Sequence, residues 1–138
     1  MKKSWTTLLV LIILSSCLVS LVSGAESINI TYPENVIVGE IFEINLTLID
    51  FSEDIYDIKI DIYNETNNSQ RLSEIFNGDS WQSTYNYFNN ATNTSEALSS
   101  IFQLNITKNY GGTANITIKI KNGTTRTFEN YQINITPQ

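Results

Sequence analysis

The chain has 138 residues, of which 14 are acidic and 8 basic, with no histidine and a single cysteine, Cys17. This length predicts one domain, and the formal net charge of −6 argues against nucleic acid as a partner, because its phosphates would be repelled. Without histidine, Ser-His-Asp and Cys-His catalysis are excluded, together with zinc sites that use histidine.

Residues 1–25 indicate a secretory signal peptide. A basic start, "MKKSWTT", precedes an apolar segment, "LLVLIIL", and a stretch that turns small and then polar, "SSCLVSLVSGAES". Small residues place the cleavage after Gly24 or Ala25. The stretch from Leu8 to Val22 has 15 residues, fewer than the roughly 20 of a membrane-spanning helix. An uncleaved anchor is the alternative.

The same segment contains "LSSC", which is similar to the lipobox of lipoproteins, so Cys17 is a candidate for lipidation. No cysteine follows it, and the domain after the signal therefore contains no disulfide. We expect an extracellular or cell-envelope location, with membrane contact only through the N-terminal segment.

After residue 25 the apolar residues alternate with polar ones, which predicts half-buried antiparallel strands. Ile44, Ile60, Leu104 and Ile118 should therefore share one interior. The Asn-Gly pair in "KNGT" is a strong hairpin signal, whereas "NETNNSQ" and "NNATNTSE" are predicted to be polar loops. The predicted strands cover residues 27–32, 36–38, 40–49, 55–63, 71–76, 80–88, 98–107, 113–121 and 125–136. Residues 26–138 are therefore expected to form one all-β domain, an antiparallel β-sandwich of 7–9 strands.

The stretch "ENVIVGEIFEINLTLIDFSEDIYDIKIDIYN", residues 34–64, resembles the opening half of immunoglobulin-like modules in archaeal cell-surface and S-layer-associated proteins. It is similar to the cell-adhesion-related domains shared by bacteria and archaea. The shared features are Val38-Gly39-Glu40, an alternating strand to Leu48, a short acidic turn and the segment from Asp57 to Tyr63. Where those modules often have Asn-x-Gly, this chain has Asp50-Phe51-Ser52. The resemblance implies an immunoglobulin-like sandwich with a structural or adhesive role and no catalytic residues.

Asparagine-x-Ser/Thr triplets are unusually frequent. They occur at 10 of the 17 asparagines, whereas chance predicts about three. Residues i and i+2 of a strand lie on the same face, so an exposed face of Asn and Thr produces this triplet even where no glycan is attached. The pattern is therefore compatible both with a polar strand face and with N-glycosylation. The candidate acceptors are Asn29, Asn45, Asn64, Asn67, Asn90, Asn93, Asn105, Asn115, Asn122 and Asn134.

Two further groups are candidates for ligand binding. Oxygen ligands clustered on a turn suit Ca²⁺, and the acidic turn after the first long strand supplies Asp50, Glu53, Asp54 and Asp57. The alternative is an exposed acidic turn without metal. A predicted strand also places three aromatic residues on one face, as a core cluster or as a platform for a sugar: Trp81, Tyr85 and Tyr87.

We therefore expect an exported, N-glycosylated structural or adhesive module of the cell envelope that is not an enzyme and has no cofactor. Its partners would be other cell-surface proteins or glycans. Carboxylate pairs for glycoside hydrolysis stay open, since 14 acids always offer such pairs. One alternative is a filament subunit, a homo-oligomer in which "ESINITYP" pairs with a neighbour's sheet edge. Another is a carbohydrate-binding module using Trp81.

Overall fold

The computed structural model describes residues 24–94 and 98–138, apart from the side chains of residues 125 and 126. All but the last two positions of the predicted signal peptide lie outside these ranges, as does Cys17. Signal cleavage, anchoring and lipidation therefore stay predictions. In the part of the chain that the structure describes, no helix is long and apolar enough to cross a membrane.

The described residues form an all-β fold of two sheets. The strands are β1 (Ser27–Thr31), β2 (Asn35–Ile37), β3 (Ile41–Ile49), β4 (Ile55–Asn64), β5 (Asn67–Arg71), β6 (Ser73–Phe76), β7 (Trp81–Ser83), β8 (Phe88–Asn93), β9 (Ser99–Ile106), β10 (Gly112–Asn122) and β11 (Thr125–Thr136). The first sheet has the order β1-β3-β9-β6-β7. The second has the order β2-β11-β10-β4-β5, and β8 also pairs with β4.

The pairing is antiparallel with one exception, the parallel pair of β2 with β11. The expectation of a wholly antiparallel sandwich is therefore wrong at this edge. Only residues 32–34 separate β1 from β2, and they carry the chain from the first sheet to the second. No hairpin reverses the chain at this crossing, so β2 runs alongside β11. The backbone amide of Asn134 donates to the Glu34 carbonyl at 2.9 Å.

The core is a single apolar cluster to which both sheets contribute. In β3 the residues alternate between exposed and buried along nearly the whole strand, as the period of two predicts. The shared interior predicted for Ile44, Ile60, Leu104 and Ile118 is confirmed, because all four are buried in this cluster. β10 lies at the centre of its sheet, where it pairs with β4 on one side and with β11 on the other.

Two polar segments differ from the prediction, since residues 67–71 and 88–93 are strands and not loops. Both pair with β4, which provides backbone partners that the composition of these segments does not reveal. The predicted strand 80–88 is shortened to Trp81–Ser83, because the chain leaves the first sheet there and returns to the second as β8. β9 begins at Ser99, one residue after its predicted start.

Candidate glycan-acceptor sites

An N-glycosylation acceptor needs an accessible asparagine amide nitrogen and an accessible hydroxyl two residues later. The structure places all ten candidate asparagines in strands. The five that were predicted in loops or turns lie at strand ends or inside β8, so that part of the prediction is wrong: Asn64, Asn67, Asn90, Asn93 and Asn122. Strand membership alone therefore does not distinguish accessible from inaccessible candidates. The packing of each side chain makes that distinction.

Four sequon asparagines are open, namely Asn29, Asn45, Asn67 and Asn134. All four side chains are exposed, and within the described residues no amide nitrogen of these four donates a hydrogen bond. Those in β1, β3 and β11 alternate with core residues, so their side chains point away from the interior. A glycan on any of these asparagines would extend into solvent without disturbing the core. The hydroxyl residues of three of these sequons are exposed, whereas Thr47, the hydroxyl residue of the Asn45 sequon, is half-buried and shares a hydrogen bond with Ser99.

Two others have engaged amides. Asn64 donates from Nδ2 to Gln70 Oε1 at 2.8 Å, while its Oδ1 accepts from the Thr66 backbone amide at 2.9 Å. Asn122 donates from Nδ2 to Asp54 Oδ2. Modification of either nitrogen would break these local hydrogen bonds, and the Asn64 bonds belong to the tight turn between β4 and β5.

Of the remaining four sequons, two have a buried hydroxyl residue. Thr117, the hydroxyl partner of Asn115, is buried between Tyr63 OH at 3.1 Å and Asn130 Oδ1 at 2.7 Å. Thr92, the partner of Asn90, is buried and shares a hydrogen bond with Ser100. The Oδ1 of Asn105 is buried without a hydrogen-bond partner among the described residues. Asn93 is half-buried, and its hydroxyl residue at position 95 is not described. Asn105 and Asn115 alternate with core residues of their strands and are both half-buried.

The carboxylates of the acidic turn predicted to bind Ca²⁺ do not come together in the structure. Asp54 accepts from the Ile55 amide at 2.7 Å with one oxygen and from Asn122 with the other. Asp57 Oδ2 lies 3.4 Å from Lys121 Nζ. Within residues 24–94 and 98–138, no three acidic, histidine or cysteine side chains come together in a metal-binding group. The four predicted ligands, Asp50, Glu53, Asp54 and Asp57, therefore do not converge.

The three aromatic residues predicted to share a strand face are separated, because β7 ends at Ser83. Trp81 stays in the first sheet and packs on Phe76, with ring centroids 5.4 Å apart. Tyr85 is 61% exposed, and Tyr87 lies on the link that leads to β8. Neither the predicted core cluster nor a three-ring sugar platform forms.

Tyr85 instead covers an ion cluster on the outer face of the second sheet. The carboxylate of Asp61 is only 7% exposed, although it lies on this outer face. It accepts from Arg71 Nε at 3.1 Å and Thr84 Oγ1 at 3.2 Å, and Lys59 Nζ lies 3.7 Å away. Both cations lie over the Tyr85 ring, at 4.7 and 4.6 Å from its centroid.

Burial lowers the pKa of Lys59 below its usual value, and the Asp61 carboxylate partly offsets this effect. The cluster therefore joins β4, β5 and the link after β7 through one buried carboxylate that two cations share.

β1 is paired within its own chain, antiparallel to β3 over five residues. Its outer edge is also partly closed, since Tyr131 OH donates to the Ile28 carbonyl at 2.9 Å. The Tyr32 ring packs edge-on against Tyr131, with centroids 6.0 Å apart. Donation of β1 to a neighbour would require all of these contacts to break, which argues against the strand-exchange filament.

Tyr131 also predicts a pH effect. Burial raises the pKa of this phenol above 10.0, assisted by the carboxylate of Glu129. The folded protein then retains this proton when the unfolded chain has lost it, so the stabilising contribution is present below pH 10 and is lost as pH rises through the raised pKa. We expect the alkaline loss of stability to be smaller in Tyr131→Phe. Urea unfolding at several pH values between about 9 and 11 measures this difference, and parallel curves for the two proteins would contradict it.

A comparison with known proteins adds no relative. No protein-family model matches the chain, and no curated protein shows significant similarity to it. The resemblance over residues 34–64 to archaeal surface modules therefore stays a prediction.

Proposed function

We propose that this protein is an exported, N-glycosylated, immunoglobulin-like module with a structural or adhesive role in the cell envelope, and that it is not an enzyme. The two-sheet all-β fold with one apolar core supports the module. The sequence of residues 1–25 supports export, and the chain has no histidine for the common nucleophile systems.

The open sequons are the observation that carries the proposal. Asn29 and Asn45 lie on the outer face of the first sheet, whereas Asn67 and Asn134 belong to strands of the second sheet. All four are exposed. Glycans could thus cover both sides of the domain while the core stays intact, which is the arrangement expected of a hydrated surface coat.

The modification requires a lipid-phosphate-linked oligosaccharide as donor and a transferase of the secretory route. A bond forms between the asparagine Nδ2 and C1 of the first sugar, while the bond between C1 and the phosphate oxygen breaks. The amide nitrogen loses a proton to a base of the transferase, and the lipid phosphate leaves. No oxidant or reductant takes part.

Glycans would also protect the sheet edges. Unpaired edge strands are templates for pairing with other chains, and Asn29 lies in the edge strand β1, as does Asn67 in β5. Bulky, hydrated sugars at these positions would hinder both edge-to-edge pairing and access of proteases. This function needs no catalytic group, in agreement with the composition.

Mass spectrometry of the native protein, isolated from its own cells, tests the proposal. We expect a mass above that of residues 25 or 26 to 138 by one or more oligosaccharides, with glycopeptides at Asn29, Asn45, Asn67 and Asn134. The sequon at Asn115 should be unoccupied in the folded protein, since its hydroxyl residue Thr117 is buried.

A matched control separates accessibility from sequence. Substituting Thr31→Ala removes the sequon at Asn29 and should remove one glycan mass, whereas Thr117→Ala removes the sequon at Asn115 and should leave the mass of the glycans unchanged. A native protein without any glycan would disprove the proposal.

A further inference from the structure

On the outer face of the first sheet, the sequon asparagine Asn45 lies beside exposed apolar surface. Strand register places Asn45 directly between Thr31 of β1 and Ile101 of β9. The Ile101 side chain is 63% exposed, among the most exposed large apolar side chains of the described residues. An isoleucine this exposed contributes little to the core, and its side chain is accessible to a ligand on this face.

Asn45 and Ile101 belong to the same shallow groove, which is lined by Thr31, Tyr32, Pro33, Glu43, Asn45 and Ile101. Its aromatic wall is held in place, because Tyr32 OH donates to the Gln132 carbonyl at 3.0 Å. The wall therefore needs no ordering when a ligand binds, which lowers the entropic cost of binding.

We propose that the first sugars attached to Asn45 lie in this groove, pack on Ile101 and the Tyr32-Pro33 wall, and stabilise the fold. The inference rests on the proposed function and assigns a structural role to one glycan among several. A pyranose ring has one face of C–H groups, which suits the apolar wall, and hydroxyl groups at its edge, which suit Glu43 and Thr31. The attachment is the transfer described above, at Asn45 Nδ2.

The position of the acceptor favours a glycan over a second copy of the chain. Asn45 is itself part of the groove lining, so an attached sugar is already at the apolar surface and loses little freedom when it packs. A protein partner on the same surface would have to bury the Asn45 amide and the Glu43 carboxylate, which costs free energy unless both find partners.

Asn29 provides a matched control on the same sheet face. Asn29 is also exposed, but its register partner in β3 is a polar residue, Thr47. Thr47 is hydrogen-bonded to Ser99 of β9 at 2.8 Å. The row through Asn29 is therefore polar throughout, and a glycan there has no apolar wall on which to pack.

The experiment uses the full chain secreted by a eukaryotic host, in glycosylated form and after enzymatic removal of the glycans. We compare the wild type, Asn45→Gln, Asn29→Gln and Ile101→Ser. Glycosylation should raise the Tm of the wild type and of Asn29→Gln, and Asn45→Gln should lose about 4 °C of that increase. In Ile101→Ser the Asn45 glycan should be present but should no longer raise the Tm. Ile101 is exposed, so this variant is expected to fold.

A second measurement does not depend on stability. Nuclear Overhauser contacts between the first sugar of Asn45 and the Ile101 methyl groups are expected in the wild type. Their absence would overturn the inference. So would an unoccupied Asn45 in a protein glycosylated elsewhere, an unchanged Tm in Asn45→Gln, or a change from dimer to monomer in Ile101→Ser. Each of these results leaves the proposed function standing, whereas the native protein without any glycan removes both.

Discussion

Replacing Ile118 by alanine is expected to lower the free energy of unfolding by about 3–4 kcal/mol, because it leaves a cavity in a core that cannot fully collapse. Ile118 is completely buried and lies in the central strand β10, opposite Ile60 of β4. A domain of this size has a total stability of about 5–15 kcal/mol, so the variant should lose a substantial fraction of it. Urea denaturation of unglycosylated protein measures the change.

The control for this prediction uses the same substitution at the surface. Ile101→Ala should change the stability of the unglycosylated protein by less than about 0.5 kcal/mol, since this side chain is 63% exposed. Ile118→Val, which removes one methylene, should cost about 1 kcal/mol. Equal effects of the two alanine substitutions would show that the two sheets do not share the core described above.

The substitution Asp61→Asn is expected to cost about 3 kcal/mol, because it removes the carboxylate from two cations that are largely shielded from water. The side chain of Lys59 is 11% exposed and that of Arg71 is 31% exposed. Asparagine has nearly the same shape as aspartate, and it retains an oxygen that can accept the hydrogen bond from Thr84 Oγ1. The loss in urea unfolding therefore reports the charge and not a cavity.

Asp57→Asn is the matched control. Asp57 lies on the same strand as Asp61, and it pairs with Lys121 of β10 at a more exposed position. The two side chains are 26% and 25% exposed, and such pairs contribute about 0–1 kcal/mol. A loss at Asp57 equal to that at Asp61 would contradict the importance assigned to burial.

The Asp61→Asn variant should also show a change in the pH dependence of its stability. The pKa of Lys59 is lowered by burial and is raised in part by Asp61, so Asp61→Asn should lower it further. The folded state then binds fewer protons than the unfolded state from this lowered pKa up to 10.5, and stability should rise with pH across that window. Nuclear magnetic resonance titration of the Lys59 side chain should show the shift, and an unchanged titration would refute it.

Much of the fold could be predicted from alternation alone. β3, β4, β9 and β10 lie within one or two residues of their predicted bounds, because each has one apolar face that must be buried and one polar face. The interior that contains Ile44 and Ile118 followed from the same period of two. In β5 and β8 most residues on both faces are polar, so alternation does not predict a strand. These segments are strands because they pair with β4.

The candidate glycan-acceptor sites could likewise be predicted only in part from the sequence. The sequence determined that ten acceptor triplets exist and that an Asn-x-Thr strand face points away from the core. It could not distinguish Asn45 from Asn115, which have the same local pattern. Contacts across strands made that distinction: Thr117 is buried under Tyr63 and Asn130, whereas Asn45 opens onto a groove beside Ile101. Period and composition act locally along the chain, but access to an amide depends on residues that only the tertiary structure brings next to it.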